Sequence, residues 1–216
     1  MQELSVKYAL FDMDGTLADT MGYWRTLTPR ALARRGVTLS EEDISALGTL
    51  TFSQGVAYLR EKKIPHVEEI TREEILAILE GHYRRDARLK AGVRELLDRF
   101  RAQGVRMGVA TLTPKAQAEV CLKSLGIDGY FDFVFTGEDY PNGKKSPEIF
   151  LDAAARFGCD VREMYLFEDS FYSMQTAHAM GIPIVVTEDE WQAHIREDML
   201  AIATAYFEDG FTKRIK

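Results

Sequence analysis

Short apolar runs alternate with amphipathic stretches over most of the chain. The runs are YALF at 8–11, VRMGVA at 105–110, FDFVF at 131–135, MYLF at 164–167 and IPIVV at 182–186. Their lengths suit strands better than helices. Each is nearly continuous in apolar character, as expected of a strand covered on both faces. Between them, VRELLDRFRAQ at 93–103, PKAQAEVCLKSL at 114–125, PEIFLDAAARF at 147–157 and SMQTAHAM at 173–180 carry apolar residues at helical spacing. Gly104, Gly126, Gly158 and Gly181 each stand just past one of these stretches, where a helix-ending glycine belongs. Strands alternating with helices of this length predict parallel strands and crossover helices, a doubly wound α/β sheet.

Residues 18–88 break the alternation. YWRTLTPRALARRG, SEEDISALG, FSQGVAYLREKK and REEILAILEGHYRRDA are helical patterns, with no convincing strand among them. The block is too long for an ordinary loop. The expected organisation is therefore an α/β core domain of residues 1–17 and 89–216, with an all-α subdomain of residues 18–88 inserted after the first strand. From residue 190 the pattern predicts one more helix and a short edge strand at AYF, 205–207.

Composition narrows the class. The 216 residues are 46% hydrophobic and 28% charged, which suits a soluble globular chain. A formal net charge of −7 and the absence of a long basic run argue against nucleic acid as the main partner. Two cysteines, Cys121 and Cys159, form neither a CxxC pair nor a disulfide framework, and fit a reducing cytosol. The start MQELSVKYALFDMDG has no basic segment followed by an apolar core, so no signal peptide is expected. No apolar stretch approaches the roughly 20 residues that a bilayer requires, so no membrane partner is expected and the expected compartment is cytoplasmic.

In open parallel sheets, ligands bind outside the carboxyl ends of the strands. The polar residues at those ends are the candidates. The first run ends in FDMDG, placing Asp12 and Asp14 two positions apart before Gly15. The second ends VATLT, with Thr111 and Thr113; the fourth ends LFEDS, with Glu168, Asp169 and Ser170. The loop NGKKSPEIF after the third supplies Lys144 and Lys145 before a helix opening at Pro147. Taken singly, each has a plain alternative: the aspartates as caps or turn formers, the threonine as a turn residue, either lysine as surface charge. Convergence on one rim is what carries chemistry. Oxygen ligands from Asp12 and Asp169 suit Mg²⁺. One aspartate could then attack a phosphoryl group while the other protonates the leaving oxygen and later deprotonates a water. Thr111 and a lysine would hold the phosphoryl oxygens.

FDMDGTLADT, ATLT, GKKSPEIF and LFEDS, in that order, resemble the motifs of the haloacid dehalogenase superfamily. They are most similar to its phosphatase branch with a helical cap after the first motif, which includes β-phosphoglucomutase-like and phosphoglycolate-phosphatase-like proteins. The resemblance spans essentially the whole chain. It implies that Asp12 is the nucleophile, that Asp14 is the general acid/base and reaches Mg²⁺ through its carbonyl, and that Asp169 ligates the metal with support from Glu168. It implies that Thr111 and the motif lysine hold the phosphoryl group. It also makes Tyr23, Trp24 and Arg25, which open the cap, possible substrate contacts, although an aromatic in a small helical subdomain is as easily structural.

Three departures from the family pattern stand out. The lysine motif keeps only its second proline; counting back from Pro147 selects Lys144, with Lys145 the lesser candidate. After Thr111 comes Leu112 and then Thr113, where the family often has consecutive hydroxyls. The stretch LGTLTFSQG at 47–55 lacks the arginine expected of a phosphoglucomutase, which lowers that reading. GKKS is not a P-loop, because Glu138 and Lys145 stand where glycine and a hydroxyl residue are required. His66, His82, His178 and His194 show no ligand spacing. The expected function is a Mg²⁺-dependent phosphatase acting on a small phosphorylated metabolite (a sugar phosphate, phosphoglycolate or a nucleotide) through an aspartyl phosphate, as a monomer or weak homodimer. The alternatives are a sugar phosphomutase, a receiver-type signalling domain, which would not need Asp14 or the insert, and a catalytically idle binding protein.

Overall fold

The computed structural model describes residues 5–47 and 52–215. Contacts divide the chain into two compact units, one of Met1–Asp19 with Ala87–Lys216 and one of Thr20–Asp86.

The first unit is built on a six-stranded sheet: β1 (Tyr8–Phe11), β2 (Arg106–Thr111), β3 (Val134–Thr136), β4 (Met164–Glu168), β5 (Ile184–Thr187) and β6 (Ala205–Phe207). All pairings are parallel, in the order β3-β2-β1-β4-β5-β6. The second unit holds α1 (Met21–Trp24), α2 (Leu27–Ala33), α3 (Glu41–Leu47), α4 (Phe52–Glu61) and α5 (Arg72–Arg85). The helices of the first unit are α6 (Val93–Ala102), α7 (Lys115–Ser124), α8 (Glu148–Phe157), α9 (Phe171–Ala179) and α10 (Arg196–Ile202). Among the described residues no helix is long and apolar enough to cross a membrane.

β1 is central because its residues satisfy both neighbours: Leu10 faces Gly108 of β2 on one side and Leu166 of β4 on the other. Both faces of the sheet are covered. Phe11 stacks on Phe167 at 4.4 Å, with Phe100 of α6 beside them. Leu10, Leu166, Ile184 and Val186 pack with Ile149 and Phe150 of α8 and Met174 of α9. Side chains of this size contribute about 1.5–3 kcal/mol each when fully buried. On α6 the apolar positions 93, 96, 97 and 100 are all buried, a single stripe at helical spacing. Gly108 has a packing role: a Cβ there would lie 2.4 Å from the Phe133 ring.

The third strand differs from its expected span. FDFVF suggests 131–135, yet the ladder runs over Val134–Thr136. Phe131 and Phe133 precede it with their rings packed on Phe11 and on Phe157, while the Asp132 amide donates to the Met107 carbonyl at 2.7 Å and the Phe133 carbonyl accepts the Val109 amide at 3.0 Å, leading into the ladder. β3 is an edge strand, and its three residues match Val109, Ala110 and Thr111.

Because every strand runs the same way, the carboxyl ends of β1, β2, β3, β4 and β5 share one edge of the sheet. Two short connecting segments pair beside it. The Asp19 amide donates to the Arg88 carbonyl at 2.9 Å and the Lys90 amide donates to the Leu17 carbonyl at 3.0 Å.

The second unit has its own core, which includes Leu27, Ala31, Leu32, Leu59, Ile75, Ile78, Leu79 and Tyr83. Arg35 donates to Glu74 and to the Glu69 carbonyl, fixing the end of α2 beside α5. Thr71 caps α5 by accepting the Glu74 amide at 3.1 Å. Of the stretch 47–55, residues 48–51 lie outside the described residues.

Candidate active site

β1 stops at Phe11, but the Asp12 amide still donates to the Phe167 carbonyl at 2.9 Å, so the backbone continues along β4 for one more residue. The turn that follows is tight. The amides of Leu17 and Ala18 both donate to the Met13 carbonyl at 2.9 Å, and the Gly15 amide donates to the Ala18 carbonyl at 2.8 Å. Gly15 sits at φ 89, a left-handed conformation that a side chain would strain. This geometry buries Asp12 and leaves Asp14 half-buried.

Lys144 reaches the same spot from the turn before α8. Its side chain is 1% exposed, and its Nζ donates to Asp12 Oδ1 and, at 2.9 Å, to Glu168 Oε2. The other oxygen of Glu168 accepts the amides of Asp169 and Ser170, each at 3.1 Å. Asp169 follows at the end of β4, with the Thr16 hydroxyl 3.4 Å from its Oδ1. Asp12, Glu168 and Asp169 each offer an oxygen within 4.8 Å of the others, and all three are buried.

Three carboxylates around one ammonium repel one another and resist desolvation. Burial pushes the Asp12 carboxyl up to about 7, Glu168 and Asp14 adding to the rise while Lys144 opposes it. Burial likewise pushes Asp169 well above the usual carboxylate range, with Asp12 and Glu168 adding to it. Burial works against the charge of Lys144, but Asp12 and Glu168 outweigh it and hold the ammonium above its ordinary value.

Thr111 ends β2, and its hydroxyl oxygen accepts the Thr113 amide at 3.1 Å. That bond uses the oxygen as acceptor and leaves the hydroxyl proton available for donation. Thr113 does not stand beside it as a second donor to the same place: its hydroxyl donates to Asp14 Oδ2 at 2.6 Å. Lys145 lies elsewhere. It is exposed and lines a cavity of about 700 Å³ with Leu112, Asn142, Ser146 and Tyr172, its Nζ 5.8 Å from the Tyr172 ring centroid.

Tyr23, Trp24 and Arg25 belong to the second unit and are half-buried there. The Tyr23 ring stacks on His82 at 3.7 Å and 7°, with the Arg30 guanidinium 4.4 Å from its centroid.

Two residues in the neighbourhood of Asp169 escape a motif-based reading. Asp189, 5% exposed, stands just beyond β5, and Lys90 donates to it at 3.2 Å. The run VVTEDE carries the same signal as the other strand ends, an acid following an apolar run. Lys90, in RLKAG, has no sequence signal of its own.

A parallel α/β sheet with buried acids, a lysine and a threonine at its carboxyl edge defines a class of phosphoryl-handling enzymes. The model of the haloacid dehalogenase-like hydrolases matches residues 9–187, and the chain belongs to that family. It is a hydrolase of the phosphatase type. Among curated proteins it is similar to protein CbbY of Rhodobacter capsulatus, 27% identical over 202 residues, covering 87% of this chain and 88% of that one. It is also similar to the phosphorylated carbohydrates phosphatase of Thermotoga maritima, 27% identical over 174 residues, covering 80% and 81%. Among solved structures, CbbY from Rhodobacter sphaeroides in complex with phosphate superimposes with a TM-score of 0.74 at 22% identity, over 96% of both chains. That likeness bears on the fold.

Proposed function

We propose that the chain is a Mg²⁺-dependent phosphatase that hydrolyses a small phosphorylated sugar or closely related metabolite through a phosphorylated Asp12. The observation that carries this reading is the placement of Asp12. It is buried, held by Lys144, and faces two further buried acids, while Asp14 is turned aside onto Thr113. The name of the Thermotoga maritima relative favours a carbohydrate phosphate.

The donor set fits a hard divalent cation. Asp12, Glu168 and Asp169 offer only oxygens, and together they carry more negative charge than Lys144 neutralises. We assign Asp12 and Asp169 as carboxylate ligands, the Asp14 carbonyl as a third, and Glu168 as their support. A bound Mg²⁺ would supply charge neutralisation for the phosphoryl oxygens and for the crowded carboxylates.

Asp12 then attacks phosphorus with a carboxylate oxygen. The bond from phosphorus to the bridging ester oxygen breaks, and Asp14 passes its proton to that oxygen. In the second half, Asp14 takes a proton from a water, whose oxygen attacks phosphorus. The bond to Asp12 breaks, releasing inorganic phosphate and restoring the carboxylate. Thr111 donates its free hydroxyl proton to a phosphoryl oxygen, and the Lys144 ammonium stands where charge builds up. Thr113 keeps Asp14 directed by its hydrogen bond.

The test is phosphate release from a panel of sugar phosphates, phosphoglycolate and nucleotides with and without Mg²⁺, run beside Asp12→Asn. Release by the wild type that requires Mg²⁺ and is lost in the variant is the expected result. Equal release by Asp12→Asn overturns the mechanism. Isomerisation of a hexose 1-phosphate without net release would make the chain a mutase instead.

A further inference from the structure

The Lys90–Asp189 pair is built at a place where an ion pair is costly. Lys90 Nζ donates to Asp189 Oδ2 at 3.2 Å and to the Glu188 carbonyl at 3.0 Å, and the two side chains are only 10% and 6% exposed. Desolvating both charges cancels most of what their attraction gains, so such a pair adds little to stability over an apolar pair. Its location suggests another use. Asp189 stands outside the group of three acids, yet both members act on Asp169: Asp189 opposes its charge and Lys90 favours it.

The pair stands on the edge that carries the acids: β5 lies beside β4 with Val186 opposite Glu168, and Asp189 follows two residues past the end of β5.

We propose that Lys90 and Asp189 are positioning residues that set the charge of the metal site, and thereby its affinity for Mg²⁺, without touching the ion or the phosphoryl group. This rests on the metal reading above. Lys90 also ties the site to the returning chain, because its own amide bonds the Leu17 carbonyl three residues after Asp14. The charge of each residue acts at a distance, so it is the sign of the change, more than side-chain shape, that matters.

The experiment is Mg²⁺ binding to metal-free protein, followed by calorimetry at pH 8, with wild type, Lys90→Met, Asp189→Asn, the double variant and Lys90→Arg. Removing the ammonium leaves one more negative charge, and Mg²⁺ binds about tenfold tighter; removing the carboxylate leaves one fewer, and Mg²⁺ binds about tenfold weaker. The double variant removes a neutral pair and returns to within about threefold of wild type, and Lys90→Arg stays with wild type. Shifts of the two single variants in the same direction, or no shift in either, overturn the proposal. If Lys90→Met fails to fold, the direction set by Asp189→Asn and its recovery in the double variant decide the matter. A wild-type chain that binds no Mg²⁺ overturns the metal reading, and this inference with it.

Discussion

The Thr113 hydroxyl donates to Asp14 Oδ2 at 2.6 Å, joining the end of β2 to the turn after β1 across 99 positions of sequence. Thr113 is itself held, since its amide bonds the Thr111 hydroxyl oxygen. Under the proposed mechanism Asp14 is a proton donor, which works only when aimed, and this chain of bonds aims it from the strand that ends in Thr111. Thr113→Val should therefore lower kcat about tenfold, the worth of one such bond, with little change in KM. Thr113→Ser should recover most of the loss. Steady-state kinetics with the best substrate of the panel checks both, and a KM effect without a kcat effect would move Thr113 to substrate binding.

Asp12 illustrates how a buried acid weighs on its own fold. Its carboxyl is pushed up to about 7, against 3.8 ordinarily, chiefly by burial. Between those values the folded chain holds a proton that the unfolded chain releases, so this site lowers stability as pH rises from about 4 to 7. Above 7 the whole cost is present. Asp12→Asn removes it, so the metal-free variant should melt higher than wild type at pH 8 and close to wild type near pH 4. For a chain of this length each kcal/mol moves Tm by about 2–4 °C. Thermal unfolding in chelator at the two pH values is the measurement, and an equal shift at both would remove the electrostatic cause.

Gly15 is needed for its backbone alone. At φ 89, next to Asp14, a Cβ would cost about 1–2 kcal/mol in the folded chain. Gly15→Ala should lower Tm by several degrees. It should also reduce kcat, because relaxing the turn moves Asp14 off Thr113. Calorimetric unfolding and kinetics on the same preparation would separate the two effects.

How much of this is legible in the chain follows from the forces involved. A parallel sheet writes itself into sequence because both its faces are buried, so YALF and MYLF read as strands with no further help. Acids directly after such runs violate the pattern, which makes Asp12, Glu168 and Asp169 visible as a group before any coordinate is known. FDFVF shifts the strand by the same logic: Phe131 and Phe133 are apolar for packing on Phe11 and Phe157, and their segment bonds to β2 only at Asp132 and Phe133 before the regular strand over Val134–Thr136. Lys90 is invisible, since a lysine before a glycine-led helix looks like surface charge, and only the fold brings it to Asp189. Thr113 is visible as a hydroxyl but not as a partner, because no local pattern encodes a contact between the turn after β1 and the end of β2.

Lys144 and Lys145 are adjacent and chemically identical, yet they should answer substitution very differently. Lys144 is buried between Asp12 and Glu168. Lys144→Ala leaves those two carboxylates facing each other without a cation, and breaking a buried pair in this way costs about 3–5 kcal/mol. Activity should fall below detection and Tm should drop, with part of the Tm loss recovered by Mg²⁺ or by lowering the pH toward 5, where one of the stranded carboxylates can take up a proton. Lys145 is exposed beside Tyr172, and a cation near an aromatic ring at the surface contributes about 0.5–1 kcal/mol. Lys145→Ala should keep kcat within about threefold of wild type. Phosphate release and thermal unfolding of the two variants side by side are sufficient. An inactive Lys145→Ala beside an active Lys144→Ala would reverse the assignment of the motif lysine, and with it the account of how Asp12 is held.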